Sequence, residues 1–304
     1  MNTLIGIFVN NILPVFLVVG TGALLGVTIR PDVKALSRTT FYVLTPCVVF
    51  SGLIRSRLTG AETQQVALFA TLATLLTAAL AWLVATVLGW RGTRRRALTL
   101  PVLSVNAGNF GLSVVLFAFG QEAQARAMVY FAASAVIGNS LGVALAAGGR
   151  SWRQMFLNVA KVPMIYATII ALALNAIGNV QIPAVLMKPI ELLGGAGVPM
   201  LLIVLGLQLV KSAAALRLHV ATISVATVLR LLVAPVIAIG VAWVTGVRGV
   251  TRQACMLEAS MPAGVTSTIL ALEYNLDPEV VAGTVFISTL FSALTLSVLI
   301  WALP

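Results

Sequence analysis

Charged residues are scarce in this chain of 304 residues. They make up 9% of the sequence, whereas soluble domains contain about 25%, and 60% of the residues are hydrophobic. This composition predicts an integral membrane protein. The 19 basic residues outnumber the 8 acidic ones, but most of the bases fall in short loops between apolar stretches. That pattern reports membrane topology, so we predict no nucleic-acid partner.

Residues that hold metals or perform acid–base chemistry are also few. The chain has two aspartates, Asp32 and Asp277, a single histidine, His219, and two cysteines in or beside apolar stretches. Membrane-embedded prenyl or lipid transferases usually need paired aspartates or a histidine-rich motif for a metal. The cysteines show neither a disulfide framework nor metal-ligand spacing. We therefore predict no enzymatic activity, no metal and no cofactor.

Long apolar stretches are abundant. A bilayer core of about 30 Å needs roughly 20 helical residues to cross it. Polar clusters divide the chain into apolar stretches of about this length, which predicts an all-α polytopic membrane protein with ten spans. The predicted spans are 4–29, 37–54, 64–90, 95–119, 124–147, 161–178, 186–210, 219–245, 252–273 and 279–303.

The basic residues predict the orientation. Twelve bases fall on one side of the ten spans and six on the other. Because cytoplasmic loops are enriched in Lys and Arg, the first side is predicted to be cytoplasmic and both termini non-cytoplasmic. The first set is Arg30, Lys34, Arg38, Arg91, Arg94, Arg95, Arg96, Arg150, Arg153, Lys161, Lys211 and Arg217; the second is Arg55, Arg57, Arg126, Lys188, Arg248 and Arg252.

The two halves of the chain resemble each other at an offset of 157 residues. Arg95-Arg96-Ala97-Leu98 lies before one interrupted span, and Arg252-Gln253-Ala254-Cys255 lies before another. Each half holds five predicted spans, and an odd number forces the halves to insert with opposite polarity. The sequence thus predicts a 5+5 inverted repeat, with residues 1–150 and 151–304 as its halves.

Spans four and nine are both interrupted. Span four contains Asn106-Ala107-Gly108-Asn109-Phe110-Gly111, and span nine contains Ser260-Met261-Pro262-Ala263-Gly264. Broken helices free backbone groups that lipid cannot satisfy, and paired interruptions typically mark a transporter's binding site. Close helix packing would also explain the glycines alone. The two asparagines and the proline favour a site.

Two ionisable residues are predicted at membrane depth. Arg230 lies near the middle of span eight, where a cation normally has a partner and a role. It either pairs with Glu258 or binds a substrate carboxylate, or it caps a carbonyl end as a structural element. Glu258 lies four residues before Pro262. It is a candidate proton carrier or cation ligand, and a static salt bridge is the alternative.

With these motifs, the chain resembles a bacterial member of the auxin efflux carrier family. The resemblance covers the whole chain, and the chain lacks the long central loop of plant members. It rests on Asn106-x-x-Asn109-x-Gly111, on Ala-Ser-Met-Pro-Ala at 259–263, on Ala-Leu-Glu-Tyr-Asn-Leu-Asp-Pro-Glu at 271–279, and on Thr-Leu-Phe-Ser at 289–292.

The resemblance implies two broken helices that cross at the substrate site. It implies a scaffold of spans 1, 2, 6 and 7, a homodimer through that scaffold, and a transport unit of spans 3–5 and 8–10 that moves like an elevator. By the same resemblance, Asn106, Gly108, Asn109, Met261, Pro262 and Gly264 lie at the crossing. Plant members carry a proline at the first break. Its absence here predicts a break that depends on glycine flexibility.

The predicted function is secondary transport of a small organic anion, such as auxin, malonate or malate, across the cytoplasmic (inner) membrane. Asn106, Gly108, Asn109, Gly111, Met261, Pro262, Gly264 and Arg230 are the predicted substrate-binding residues, and Glu258 is the predicted residue for ion or proton coupling. The alternative is a sodium-coupled symporter of the bile-acid-transporter type. In that case Glu258 and the carbonyls around Pro262 would bind sodium.

Overall fold

The computed structural model describes residues 3–56, 58–149, 157–178, 182–213 and 219–303. The predicted boundary between the halves, at residues 150 and 151, lies outside these ranges, as do Arg57, Arg153 and Arg217. The described residues are predominantly helical, and apart from one isolated β-bridge they contain no strand.

The helices follow the apolar stretches of the sequence. Six of them, α1, α3, α5, α7, α8 and α11, are long and apolar enough to cross a membrane. The chain is an all-helical polytopic membrane protein, as predicted. The principal helices are α1 (Leu4–Thr28), α2 (33–54), α3 (Gly60–Val87), α4 (Gly92–Leu103), α5 (Ala107–Ala147), α6 (Pro163–Ile177), α7 (Ala184–Ala213), α8 (Val220–Thr245), α9 (Gly249–Ala259), α10 (Thr266–Glu273) and α11 (Pro278–Ala302).

The connection between predicted spans four and five is a single glycine. A short loop was expected between residues 119 and 124, but the helical hydrogen bonding of α5 passes through this region. Only Gly120 leaves the helical conformation, with φ 79° and ψ −174°. A glycine reaches positive φ without the steric penalty of a Cβ. Gly120 therefore redirects the chain without a loop.

The helices pack in two groups. α7 packs against α1 and α2, and α6 packs against α2. Two glycines bring α1 and α7 into backbone contact: a Cβ added at Gly22 would lie 2.8 Å from the Cα of Ile203, and one at Gly206 would lie 2.7 Å from the N of Ala23. In the other group, α5 packs against α3 and α9, and α8 packs against α3, α4 and α11.

The turns before α4 and α9 have the same backbone conformation. Gly89 and Gly246 have φ of 74° and 68°, and Gly92 and Gly249 have φ of 56° and 52°. Each pair is separated by 157 residues. The Gly-x-Arg-Gly sequence at both places holds the chain in left-handed conformations that glycine tolerates. The two turns lead into α4 and α9 in the same way.

Candidate functional site

The two interruptions meet at a crossing in the middle of the helices. The segment between α4 and α5 runs antiparallel to the segment between α9 and α10. The N–H of Asn106 donates to the carbonyl of Pro262 at 2.9 Å, and the N–H of Gly264 donates to the carbonyl of Ser104 at 2.5 Å. These bonds satisfy backbone groups that an interrupted helix leaves unpaired, which is required where lipid offers no partner.

The expectation that the first break depends on glycine flexibility is wrong. The chain leaves α4 through Ser104, which has extended dihedrals of φ −88° and ψ 93°. Gly108 and Gly111 lie in the π-helical first turn of α5, and neither has a positive φ. What these glycines provide is space. A Cβ at Gly108 would lie 2.6 Å from Cε2 of Phe131, and one at Gly111 would lie 2.7 Å from Oε1 of Glu258.

Arg230 reaches the crossing from α8. Its side chain lies in a π-helical turn that spans Leu229–Val233, and the residue is only 2% exposed. The guanidinium donates only to backbone carbonyls among its described partners. Nε donates to the carbonyl of Met261 at 2.7 Å, Nη1 to that of Val102 at 3.3 Å, and Nη2 to that of Ala259. Arg230 thus caps the carboxyl-terminal ends of both α4 and α9.

Glu258 is fully buried on α9 beside the crossing. Within the described part of the chain, neither of its carboxylate oxygens has a hydrogen-bond partner, and no ion pair within 4.0 Å includes it. The carboxyl group contacts the backbone of α5 at Gly111. A buried carboxyl group without a donor is costly, and this one lies where α9 packs against the first turn of α5.

The predicted site residues come together, but most are closed off from solvent. Asn109 is half-buried, and the other members of the set are buried. The side-chain Nδ2 of Asn106 has no hydrogen-bond partner in the residues that the structure describes. The Asn106 amide and the Glu258 carboxyl group therefore have hydrogen-bonding capacity that no described residue uses. The buried members are Asn106, Gly108, Gly111, Met261, Pro262, Gly264, Arg230 and Glu258.

The helix ends give the crossing an electrostatic polarity. α4 and α9 end there and direct carbonyl groups towards it, whereas α5 and α10 begin there with amide groups. Helix amino termini favour anions, and carboxyl termini favour cations. Arg230 brings a positive charge to the carbonyl ends of α4 and α9, whereas no charged side chain of the predicted site is hydrogen-bonded to the amino-terminal ends of α5 and α10 in the described structure. This arrangement suits a negatively charged ligand.

A cavity of about 960 Å³ lies between α1, α2 and α7 on one side and α5 on the other. Its volume is within the range of about 300–1,000 Å³ typical of ligand pockets. Polar residues that line it include Ser51, Arg55, Gln121 and Arg126, and Arg55 forms an ion pair with Glu191 at its edge. None of the predicted site residues is among those lining it in the described structure. The sequence analysis missed this cavity.

Arg126 is not the loop residue that the charge pattern suggested. It lies within α5 and is only 7% exposed. Its Nη2 donates to Glu62 of α3 at 2.6 Å, its Nε donates to Thr251 of α9 at 2.8 Å, and its Nη1 lies 3.3 Å from the carboxylate of Glu122. Arg126 therefore joins three helices that pack beside the crossing. In the sequence, the acidic residues Glu62 and Glu122 were the signal that could have indicated a buried, paired arginine at position 126.

Comparison with known proteins identifies the family of the chain. Residues 150–300 match a family model described as "Membrane transport protein". An uncharacterised transporter of Methanothermobacter thermautotrophicus is 31% identical over 276 residues, which is 90% of this chain and 89% of that protein. Auxin efflux carrier component 1 of Arabidopsis thaliana is 26% identical over 144 residues, which is 46% of this chain. The chain belongs to the auxin efflux carrier family. It is a membrane transport protein, as the sequence predicts.

Lengths differ within the auxin efflux carrier family. The alignment with an uncharacterised transporter of Methanocaldococcus jannaschii covers 65% of that protein, at 29% identity. The alignment with the Arabidopsis carrier covers 22% of it. The family consists of transporters and not of enzymes, which agrees with the prediction that the chain is not an enzyme.

Proposed function

We propose that the protein is a secondary transporter of a small organic anion with a carboxylate group. The observation that carries this proposal is the polarity of the crossing. The helices α5 and α10 begin beside the crossing, the amide of Asn106 has no partner among the described residues, and Arg230 already binds the carbonyl ends of α4 and α9. A carboxylate accepts hydrogen bonds from amides, and the buried guanidinium adds a positive charge that attracts it.

The proposed architecture is a ten-span 5+5 inverted repeat in which spans four and nine are broken and cross. The equal conformations at Gly89 and Gly246, and at Gly92 and Gly249, support the repeat because each pair is 157 residues apart. The antiparallel pairing of the two interruptions supports the crossing. We place residues 1–150 in one half and 151–304 in the other.

The proposed mechanism is an elevator. Spans 1, 2, 6 and 7 form the scaffold and dimer contact, and spans 3–5 and 8–10 move against it with the substrate. The packing of α7 against α1 and α2, and of α6 against α2, supports this division, although α7 also packs against α5 and α11 of the other group. We propose that substrate enters through the cavity between α7 and α5, which separates the proposed scaffold from α5 of the transport unit. By the distribution of bases, this route opens to the outside of the cytoplasmic membrane, and both termini lie on that side.

Removal of one amide at the crossing tests the site. The protein in liposomes is expected to exchange radiolabelled small carboxylates saturably, and Asn109→Ala is expected to lower kcat/KM at least tenfold because the substrate loses a charge-assisted hydrogen bond of about 1.5–3 kcal/mol. Asn139→Ala is the matched control, since Asn139 lies on the same helix and bonds the carbonyl of Ala135. Full carboxylate flux in Asn109→Ala would rule out this site.

We further propose that Glu258 couples transport to protons. Its carboxyl group is buried beside the crossing and has no partner among the described residues. Movement of the crossing against the scaffold would change its surroundings, and a carboxyl group at membrane depth exchanges its proton when its surroundings change. Sodium coupling through the same carboxylate is the alternative.

Glu258→Gln is expected to make carboxylate flux insensitive to an imposed pH gradient, because the amide keeps the shape of the side chain and cannot exchange a proton. The measurement is uptake into liposomes with the inside buffered one or two pH units from the outside. Glu273→Gln is the control, since Glu273 is exposed at the end of α10. An unchanged response to the pH gradient in Glu258→Gln would contradict the coupling role.

A further inference from the structure

The contacts of Arg230 are those of a cation site. Its guanidinium is held by three backbone carbonyl oxygens, and they come from both interrupted helices. Val102 lies in the last turn of α4, Ala259 is the last residue of α9, and Met261 belongs to the segment that follows. The distances to Met261 and Val102 are 2.7 Å and 3.3 Å. Within the described residues, no carboxylate is among the partners of the guanidinium.

Three buried carbonyl groups that converge need donors, and a cation satisfies all three at once. The carboxyl-terminal ends of α4 and α9 both carry the negative end of a helix dipole, and they face each other at the crossing. In membrane transporters, such ends and the unwound carbonyls beside them bind coupling cations such as Na⁺. The arginine side chain reaches this position from a third helix, α8.

We propose that the Arg230 guanidinium is a tethered cation that occupies the place of a coupling ion between the two half-helices. The carbonyl cage formed by Val102, Ala259 and Met261 is then a cation site that is permanently filled by the protein itself. Two consequences follow. The protein needs no sodium to hold its crossing together, and removal of the side chain leaves a site that takes up a guanidinium ion or a small monovalent cation from solution.

The inverted repeat makes this site asymmetric. The residue 157 positions before Arg230 is Ala73, which is buried on α3 and carries no charge. The repeat therefore supplies two half-helix ends and one cation for both. The expected changes in Tm do not depend on which anion is transported. Only the consequence of this site for flux rests on the proposed function.

Thermal unfolding of the purified protein in detergent tests the tethered cation. Wild-type protein is expected to have the same Tm in sodium chloride and choline chloride at equal ionic strength. Arg230→Ala is expected to have a Tm lower by roughly 5–10 °C, because carbonyl ends lose their buried partner. Guanidinium chloride at about 20 mM, far below denaturing concentrations, is expected to recover part of that loss.

Arg252→Ala is the matched control, because Arg252 is an exposed arginine on α9, one of the two half-helices that Arg230 caps. Its Tm is expected to respond to none of the three salts. Arg230→Lys is the second variant: lysine keeps the charge but cannot reach three carbonyls with a planar fork. Its Tm is expected to lie between those of wild type and Arg230→Ala, with a smaller response to guanidinium.

Two results would overturn the proposal. One is an Arg230→Ala protein that unfolds at a lower temperature and recovers with neither guanidinium nor sodium. The other is a protein that sodium stabilises relative to choline both as wild type and as Glu258→Gln, which lacks the other proposed sodium ligand; this measurement decides the matter if neither Arg230 variant folds. If the thermal results hold and no carboxylate flux is found, the cation site stands and the proposed transport function fails.

Discussion

Replacing Gly111 with alanine is expected to abolish carboxylate flux and to lower the Tm of the protein by roughly 5 °C. A Cβ at this position would lie 2.7 Å from Oε1 and 2.8 Å from Cδ of Glu258. The carboxyl group has little room to retreat, because Glu258 is fully buried and its own carbonyl accepts a hydrogen bond from the N–H of Met261 at 3.2 Å. The strain would separate α5 from α9 at the crossing.

Two variants make the Gly111 result interpretable. Gly138→Ala lies on the same helix, and nothing lies within 4 Å of the added Cβ, so neither Tm nor flux is expected to change. The double variant Gly111→Ala with Glu258→Ala removes the colliding carboxyl group. It is expected to recover most of the lost Tm, and any flux that it recovers is expected to be insensitive to a pH gradient. A Gly111→Ala protein with wild-type Tm and flux would show that α5 and α9 accommodate the added Cβ at no cost.

Replacing Arg126 with methionine is expected to destabilise the protein by about 3 kcal/mol, at the lower end of the range for breaking a buried ion pair. Methionine keeps an apolar stem but no donors. Glu62 and Thr251 would lose their bonds to the guanidinium, which are 2.6 Å and 2.8 Å long. Because the Glu62 side chain is 28% exposed, water compensates part of this loss.

The Arg126 result is measured as a change in Tm in detergent, expected to be roughly 5–10 °C. Arg248→Met is the control: it changes an exposed arginine next to α9, and its Tm is expected to stay within about 1 °C of wild type. The Arg126→Met and Glu62→Gln changes together are expected to cost less than the sum of the single changes, because they share one interaction. Full additivity would mean that the bond between Arg126 and Glu62 contributes nothing to stability.

The sequence predicted the helical membrane fold and the family because both depend on long-range patterns. Apolar stretches indicate which segments lie in the lipid bilayer, whatever the arrangement of the helices. The Gly-x-Arg-Gly sequence at 89–92 and again at 246–249 is a further signal in favour of the proposed repeat. Its glycines adopt the same left-handed conformations at both places.

The contacts at the site were less predictable. The sequence placed Arg230 and Glu258 at membrane depth, but it could not choose among a carboxylate, a substrate and a carbonyl end as the arginine's partner. The partner of Arg230 depends on where α8 meets the crossing, and on the π-helical turn at Leu229–Val233 that orients the arginine side chain. The cavity beside α5 was not predicted, because it forms between residues more than 100 positions apart, such as Arg55 and Glu191.

The backbone pairing between 104–106 and 262–264 has a consequence for how such a protein can evolve. The crossing is joined through main-chain N–H and C=O groups, which every residue except proline supplies in full. Side chains at the crossing can therefore be exchanged without loss of the junction, provided that the close-packed glycines remain small. Such exchanges can change which ligand the crossing binds while the paired backbone of 104–106 and 262–264 is kept.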